Sequence, residues 1–230
     1  MTRRFTSTTG ITLLGGGDLA RGRLTRALAL APDLVAVDGG ADHALAHGVT
    51  PRLALGDFDS ISAAARRTLG AERLLHLPSQ DDTDFDKALA MVDAPLILAL
   101  GFTGARLDHT LAGMSTLVRN PQARVIVDSG ADLCFLAPPR LNLALTPGSR
   151  LSLFPLAPLR CESAGLVWPT SGLAFDPAGL IGTSNTVTQG PVSLVPERPA
   201  MLVMVPAEAL DAVIAALRQA PAWAGSDRAR

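Results

Sequence analysis

The segment Gly56-Asp57-Phe58-Asp59-Ser60 sets two carboxylates two residues apart at the end of an apolar run. On an extended backbone both would point to the same side. At roughly 5 Å they would repel by about 3 kcal/mol at an effective dielectric of about 20, so the pair calls for a cation, a shared proton or open solvent. A hard divalent ion is the natural partner. The same residues also read as an Asp turn in which Asp59 or Ser60 caps the next helix. A second segment, Gln80-Asp81-Asp82-Thr83-Asp84-Phe85-Asp86-Lys87, crowds four acids together. Thr83 and Asp86 have the spacing of a helix start, which leaves the other acids unexplained. Lys87 stands three residues past Asp84 on the same helical face, and it is the one lysine beside nineteen arginines. Carboxylates that hold Mg²⁺, with a lysine that neutralises phosphate charge, use such a set; a solvated charge run is the alternative.

Three Gly turns follow apolar runs: Leu13 to Asp18, Asp38-Gly39-Gly40-Ala41, and Gly101 to His109. Glycine lets backbone N–H groups approach phosphate closely, and Arg106 in the third turn suits phosphate recognition. None matches the spaced Walker or dinucleotide fingerprints. His109 reads more simply as a helix-start residue than as a base. His43, His47 and His76 lack ligand spacing, which argues against zinc.

These motifs need elements to position them. Up to about residue 137, strand-length apolar runs alternate with helical stretches near 18–30, 40–47, 61–69, 84–92 and 107–119. That pattern predicts an α/β fold with an open, mainly parallel sheet, whose ligand crevice lies beyond the carboxyl ends of the strands. From 138 to 205 the chain has short β-like runs broken by Pro and Gly, a smaller all-β, sandwich-like domain. Residues 206–230 hold an amphipathic helix, with Leu210, Val213, Ile214 and Leu217 on one face, and a tail, GSDRAR, expected to be disordered. With 48% hydrophobic residues and 18% charged, this is a globular chain. Its net charge of -1 gives no field for nucleic acid or a membrane surface. No apolar run reaches the ~18 residues of a membrane span. The start reads as a strand entering a Gly turn rather than as a signal peptide. Two cysteines are too few for a disulfide framework and fit a reducing cytoplasm.

Taken in order, VDGGA, GDFDSI, QDDTDFDKAL and GARLDH, followed by GLVWP and GLIGTSNTV, resemble the thiamine pyrophosphokinase family. The resemblance runs from about residue 11 to 205. It implies transfer of the pyrophosphoryl group of ATP to thiamine, with release of AMP, by a homodimer whose sites are shared between subunits. It implies that Asp57, Asp59 and Asp84 bind Mg²⁺ and that Lys87 and Arg106 meet the phosphates. Asp38, Gly39 and Gly40 would line the nucleotide cleft with Asp108 close by, and Gln80, Ser184, Asn185 and Trp168 would face thiamine. Asp42, Arg52 and Gly182 depart from the family pattern, as does the helix after residue 206. Either Asp84 or Asp108 could accept the thiamine proton. A pterin pyrophosphokinase of the same fold, a Mg²⁺-dependent nucleotide hydrolase and a non-catalytic nucleotide or thiamine sensor are the rival expectations.

Overall fold

A computed structural model describes residues 5–19, 22–79, 81–104 and 106–224. The chain divides into two compact units, Met1–Thr116 with Val127–Gly130, and Leu117–Ile126 with Ala131–Arg230. In the first, the alternation of apolar runs and Ala- and Leu-rich stretches becomes strand-helix repeats. They are β1 (Phe5–Thr6), β2 (Ile11–Leu14), α1 (Arg23–Leu30), β3 (Asp33–Val37), α2 (Gly40–Ala46), β4 (Leu53–Gly56) and α3 (Ala63–Leu69). The chain continues as β5 (Leu74–His76), α4 (Asp84–Met91), β6 (Val92–Asp93), β7 (Ile97–Leu100), α5 (Leu107–Arg119) and β8 (Val125–Asp128).

Strands β7, β2, β3, β4 and β5 lie side by side in that order, all parallel. Every residue of β2 and β7 is buried, as a strand covered on both faces must be. The chain steps outward from β2 to β5 and then returns to the other side of β2 as β7. The strand order therefore reverses between β2 and β7, and the crevice beyond their carboxyl ends is where open α/β sheets take ligands. Gly15 and Gly101 sit at that point. An added Cβ on Gly15 would come within 2.5 Å of the Gly101 carbonyl oxygen, and one on Gly40 within 1.8 Å of the Leu14 carbonyl oxygen. These glycines let backbone cross backbone.

The second unit is built mostly from antiparallel strands. β9 (Asp132–Leu136), β10 (Leu141–Leu143), β11 (Arg150–Pro155), β12 (Leu159–Ala164), β13 (Ala174–Phe175), β14 (Gly182–Thr186), β15 (Val192–Pro196) and β16 (Met201–Pro206) precede α6 (Leu210–Gln219). One set runs β14-β11-β16-β9 and the other β10-β15-β12-β13. Side chains of β15 alternate between buried and half-buried, the period-two pattern of a strand with one covered face. Leu210, Val213, Ile214 and Leu217 of α6 are all buried, as their helical spacing predicts. After α6 the indole N–H of Trp223 donates to the Ala137 carbonyl at 2.9 Å. Cys134 and Cys161 are free and buried, and burial pushes both thiols up to about 12. The GSDRAR tail lies outside the described residues. Among those described, no helix is long and apolar enough to cross a membrane.

The backbone crossing at Gly40 gives the first expected outcome. Gly40→Ala should lose about 3 kcal/mol or more of unfolding free energy, since neither the methyl group nor the Leu14 carbonyl can yield without moving a strand. Urea denaturation followed by circular dichroism measures this; a midpoint equal to that of the unsubstituted protein would contradict it.

Candidate functional site

Strand β3 ends at Val37 and leaves Asp38 in the left-handed region at φ 48. For a residue other than glycine that conformation is uncommon and needs outside support. The support comes from the loop after β4. Ser60 donates to Asp38 Oδ2 through its hydroxyl at 2.8 Å and its N–H at 3.3 Å, and the Ile61 N–H donates to Oδ1 at 3.2 Å. Ser60 Oγ in turn accepts the Gly39 N–H at 3.1 Å. Asp38 is only 5% exposed, and burial raises its pKa, with Asp59 adding to the rise and the Ser60 bonds opposing it.

The GDFDS segment is not extended, contrary to the expectation from its position after a strand. β4 stops at Gly56, and Phe58 takes a left-handed φ of 65. The Asp59 N–H donates to Asp57 Oδ1 at 3.2 Å, so a turn rather than a pleat brings the two acids together. Phe58 is held on several sides. Its ring packs against the core of Ala36, Ala54, Ile61 and Leu69, stacks with His76 at 5.5 Å and lies 5.3 Å from the Arg66 guanidinium, which also donates to the Phe58 carbonyl. Each of Asp38, Asp57 and Asp59 thereby offers a carboxylate oxygen within 4.8 Å of the others.

The acidic helix supplies the cation. Thr83 caps α4, accepting the Asp86 N–H at 3.2 Å and donating to Asp86 Oδ2 at 2.7 Å. Asp86 is thus buried in the cap, while Asp81 and Asp82 are exposed. One turn in, Lys87 is 8% exposed, and its Nζ lies 2.9 Å from Asp84 Oδ1 and 3.7 Å from Asp57 Oδ2. The i,i+3 spacing foretold the first contact and not the second. Asp57, Asp59 and Asp84 were the expected metal set; the three carboxylates that converge are Asp38, Asp57 and Asp59, and Asp84 joins them through Lys87. Phe85, stacked on Phe102 at 4.1 Å, ties α4 to the loop after β7.

The Gly turns do less for phosphate than their composition suggests. The N–H groups of Gly15, Gly17 and Gly39 are already bonded to the Leu100 carbonyl, the Gly101 carbonyl and Ser60 Oγ. Arg106 and Asp108 form an exposed bidentate pair, with N···O distances of 3.3 and 2.7 Å. The Arg106 bond holds the Asp108 carboxyl below the ordinary carboxylate range, which makes Asp108 a poor proton acceptor at neutral pH. His109 is exposed beside it. Asp42 accepts from both the N–H and the hydroxyl of Ser62, the cap of α3, which accounts for an acid at that position.

In the second unit, Ser184 is exposed with φ 60, Asn185 is buried, and Trp168 is 60% exposed. The Asn185 carboxamide is engaged by the backbone of Trp168 rather than held free for a ligand. Gln80 lies outside the described residues. The expectation that Asp59 or Ser60 caps the next helix fails: Ser62 caps α3, and Ser60 is turned to Asp38 instead, a structural part for both residues that sequence reasoning missed.

The Ser60 bonds carry a pH-dependent expectation. A carboxyl whose folded pKa is raised contributes stability that is present below the unfolded value of 3.8 and lost as pH rises through the folded value. Ser60→Ala removes the hydroxyl donor that favours the charged Asp38, leaves the backbone N–H in place, and should raise that folded value further. The variant should lose about 1–2 kcal/mol near pH 7 and less near pH 4. Urea unfolding at both pH values measures the difference, and an equal loss at both would contradict it.

Residues 24–127 match the family model described as the thiamin pyrophosphokinase catalytic domain. Thiamin pyrophosphokinase 1 of Caenorhabditis elegans is 32% identical over 162 residues, covering 63% of this chain and 65% of that protein. Thiamine pyrophosphokinase of Bacillus subtilis is 36% identical over 97 residues, 40% of this chain and 45% of that protein. The chain therefore spans less than two thirds of the length of these curated relatives. The structure of thiamin pyrophosphokinase from Candida albicans superposes with a TM-score of 0.75 over 89% of this chain and 92% of that one, at 16% identity, which speaks to the fold. The yeast enzyme gives a TM-score of 0.71 at 17% identity over 93% and 94%. The matched stretch contains the whole acidic cluster and Lys87, so this part of the chain is similar to the catalytic domain of the thiamin pyrophosphokinases.

Proposed function

We propose that the chain transfers the pyrophosphoryl group of ATP to the hydroxyl of thiamine, giving thiamine diphosphate and AMP. The observation that carries the reading is the convergence of Asp38, Asp57 and Asp59, with Asp84 joined to Asp57 through Lys87, at the carboxyl ends of parallel strands. The names of the relatives point to the same chemistry.

The donor set suits a hard cation. Its members are all carboxylate oxygens, and no Cys or His joins them among the described residues. Asp57, Asp59 and Asp84 would hold Mg²⁺, with Asp38 near enough to share in it. Such an ion, when bound, would supply positive charge that favours departure of the AMP leaving group. Lys87 holds a buried positive charge against the triphosphate, and Arg106, kept in orientation by Asp108, offers a planar donor fork at the mouth of the crevice. Asp38, Gly39 and Gly40 line the nucleotide cleft. Ser184 and Trp168 of the second unit would meet thiamine, with Asn185 bonded to the Trp168 backbone. Arg106 holds Asp108 ionised and makes it a poor proton acceptor. A loose phosphoryl-type transition state asks little of a base; positioning and charge do most of the work. The assembly is a homodimer with sites shared between subunits, and the reaction belongs to the cytoplasm, where the two buried thiols stay reduced.

With ATP, Mg²⁺ and thiamine supplied together, AMP and thiamine diphosphate should form in equal amounts, and omission of any one should stop both. ADP with thiamine monophosphate would overturn the pyrophosphoryl assignment, and AMP made without thiamine would favour a hydrolase. Lys87→Ala should slow turnover roughly 10- to 200-fold, the loss of a charge-assisted contact of about 1.5–3 kcal/mol made in the transition state. Steady-state rates equal to those of the unsubstituted protein would make Lys87 a structural residue only.

A further inference from the structure

Asn185 sits on β14 with 5% of its surface exposed, and its carboxamide is engaged at both ends. Oδ1 accepts the Trp168 N–H at 3.2 Å and the Thr186 N–H at 2.8 Å, while Nδ2 donates to the Trp168 carbonyl at 2.7 Å. A side chain that takes both backbone polar groups of one residue does what a neighbouring strand does in an antiparallel pair.

The backbone shows why a side chain is needed there. Residues 165–167 run against 186–188. The Thr188 N–H reaches the Gly165 carbonyl at 2.9 Å, Leu166 bridges Val187, and the Val167 N–H reaches the Thr186 carbonyl at 2.8 Å. In this register Trp168 stands opposite Asn185 in a pair that carries no ladder bonds, and the next bonded pair would be Pro169 with Ser184. By then the opposite chain has met Ser184, whose left-handed φ of 60 interrupts the extended path and whose N–H goes to Ser152 Oγ at 3.0 Å. The ladder does not reach the N–H and C=O of Trp168, and the Asn185 carboxamide bonds both. Trp168 is therefore pinned through both its N–H and its C=O while its side chain stays in solvent, 60% exposed beside the exposed Val167.

From this geometry we infer that Asn185 is a positioning residue, which clamps the Trp168 backbone so that the indole stands as a preformed face for a flat, cationic heteroaromatic acceptor. The inference rests on the assignment of thiamine as acceptor and adds how the acceptor surface is held. An aromatic face attracts a cationic ring, and fixing it beforehand removes an ordering cost from binding.

The test uses Trp223→Phe protein, in which Trp168 is the one remaining tryptophan of two. Introducing Asn185→Ala should quicken the local anisotropy decay of Trp168 and raise its quenching by acrylamide. It should raise the KM for thiamine about tenfold, more than it lowers kcat, with the KM for ATP held. Trp168→Ala should raise the thiamine KM as much, and Asn185→Ala added to it should bring no further rise. Asn185→Asp, which keeps the acceptor and loses the donor, should fall between, and it serves if the Ala variant does not fold. Unchanged anisotropy and quenching in both variants would overturn the clamp. A further rise in KM on the Trp168→Ala background would also overturn it, because Asn185 would then touch the acceptor itself. Failure of the thiamine assignment would show separately, as no thiamine diphosphate from the unsubstituted protein, while the anisotropy still decides the clamp.

Discussion

The carboxylate of Asp38, left at the end of β3, accepts three bonds from Ser60 and Ile61, residues that follow β4. Those bonds settle where the chain goes after β4. They hold Ile61 over the small-residue core of Ala36, Ala54 and Ala65, and between β4 and Ser60 they leave room only for a tight turn. Asp57 and Asp59 lie on that turn, and their approach to each other follows from it. Burial disfavours the charge on Asp38, so the hydroxyl and N–H donors are what keep a carboxylate tolerable there.

Gathering acids has an electrostatic cost that the fold must offset. Carboxylates about 5 Å apart repel by roughly 3 kcal/mol at an effective dielectric of about 20. Lys87 answers part of this from α4, because the Thr83 cap and the Phe85–Phe102 stack fix the helix with its first turn against the site. The rest is left for a cation and for phosphate groups, which is the physical content of calling the cluster a binding site. Chain reversal between β2 and β7 opens the crevice in which they would sit, and the glycines there serve first to let strands pass one another.

What could be read from the sequence was what local spacing encodes. Strand ends bearing Gly or Asp, the helix from Asp84 with Thr83 as its cap, the Asp84–Lys87 pair and the buried face of α6 all follow from periods of two or 3.6 residues. Contacts that join distant parts of the chain left no such mark. Asp38 meets Ser60 across 22 residues and Asn185 meets Trp168 across 17, and both read from sequence as ligand contacts when each also positions backbone. The extended reading of GDFDS failed because Phe58 enters the left-handed region, a conformation set by its packing and not by its residue type. The Gly turns matched no phosphate fingerprint but could admit phosphate, and the N–H groups of Gly15, Gly17 and Gly39 already bond neighbouring chain.

The account rests most heavily on the claim that the turn held by Asp38 makes a cation site of Asp57 and Asp59. Crystals grown with Mn²⁺ and a non-hydrolysable ATP analogue test this directly through the anomalous scattering of manganese. The account predicts a peak within about 2.4 Å of carboxylate oxygens from both residues. A structure with the nucleotide bound and no peak against either carboxylate would contradict it.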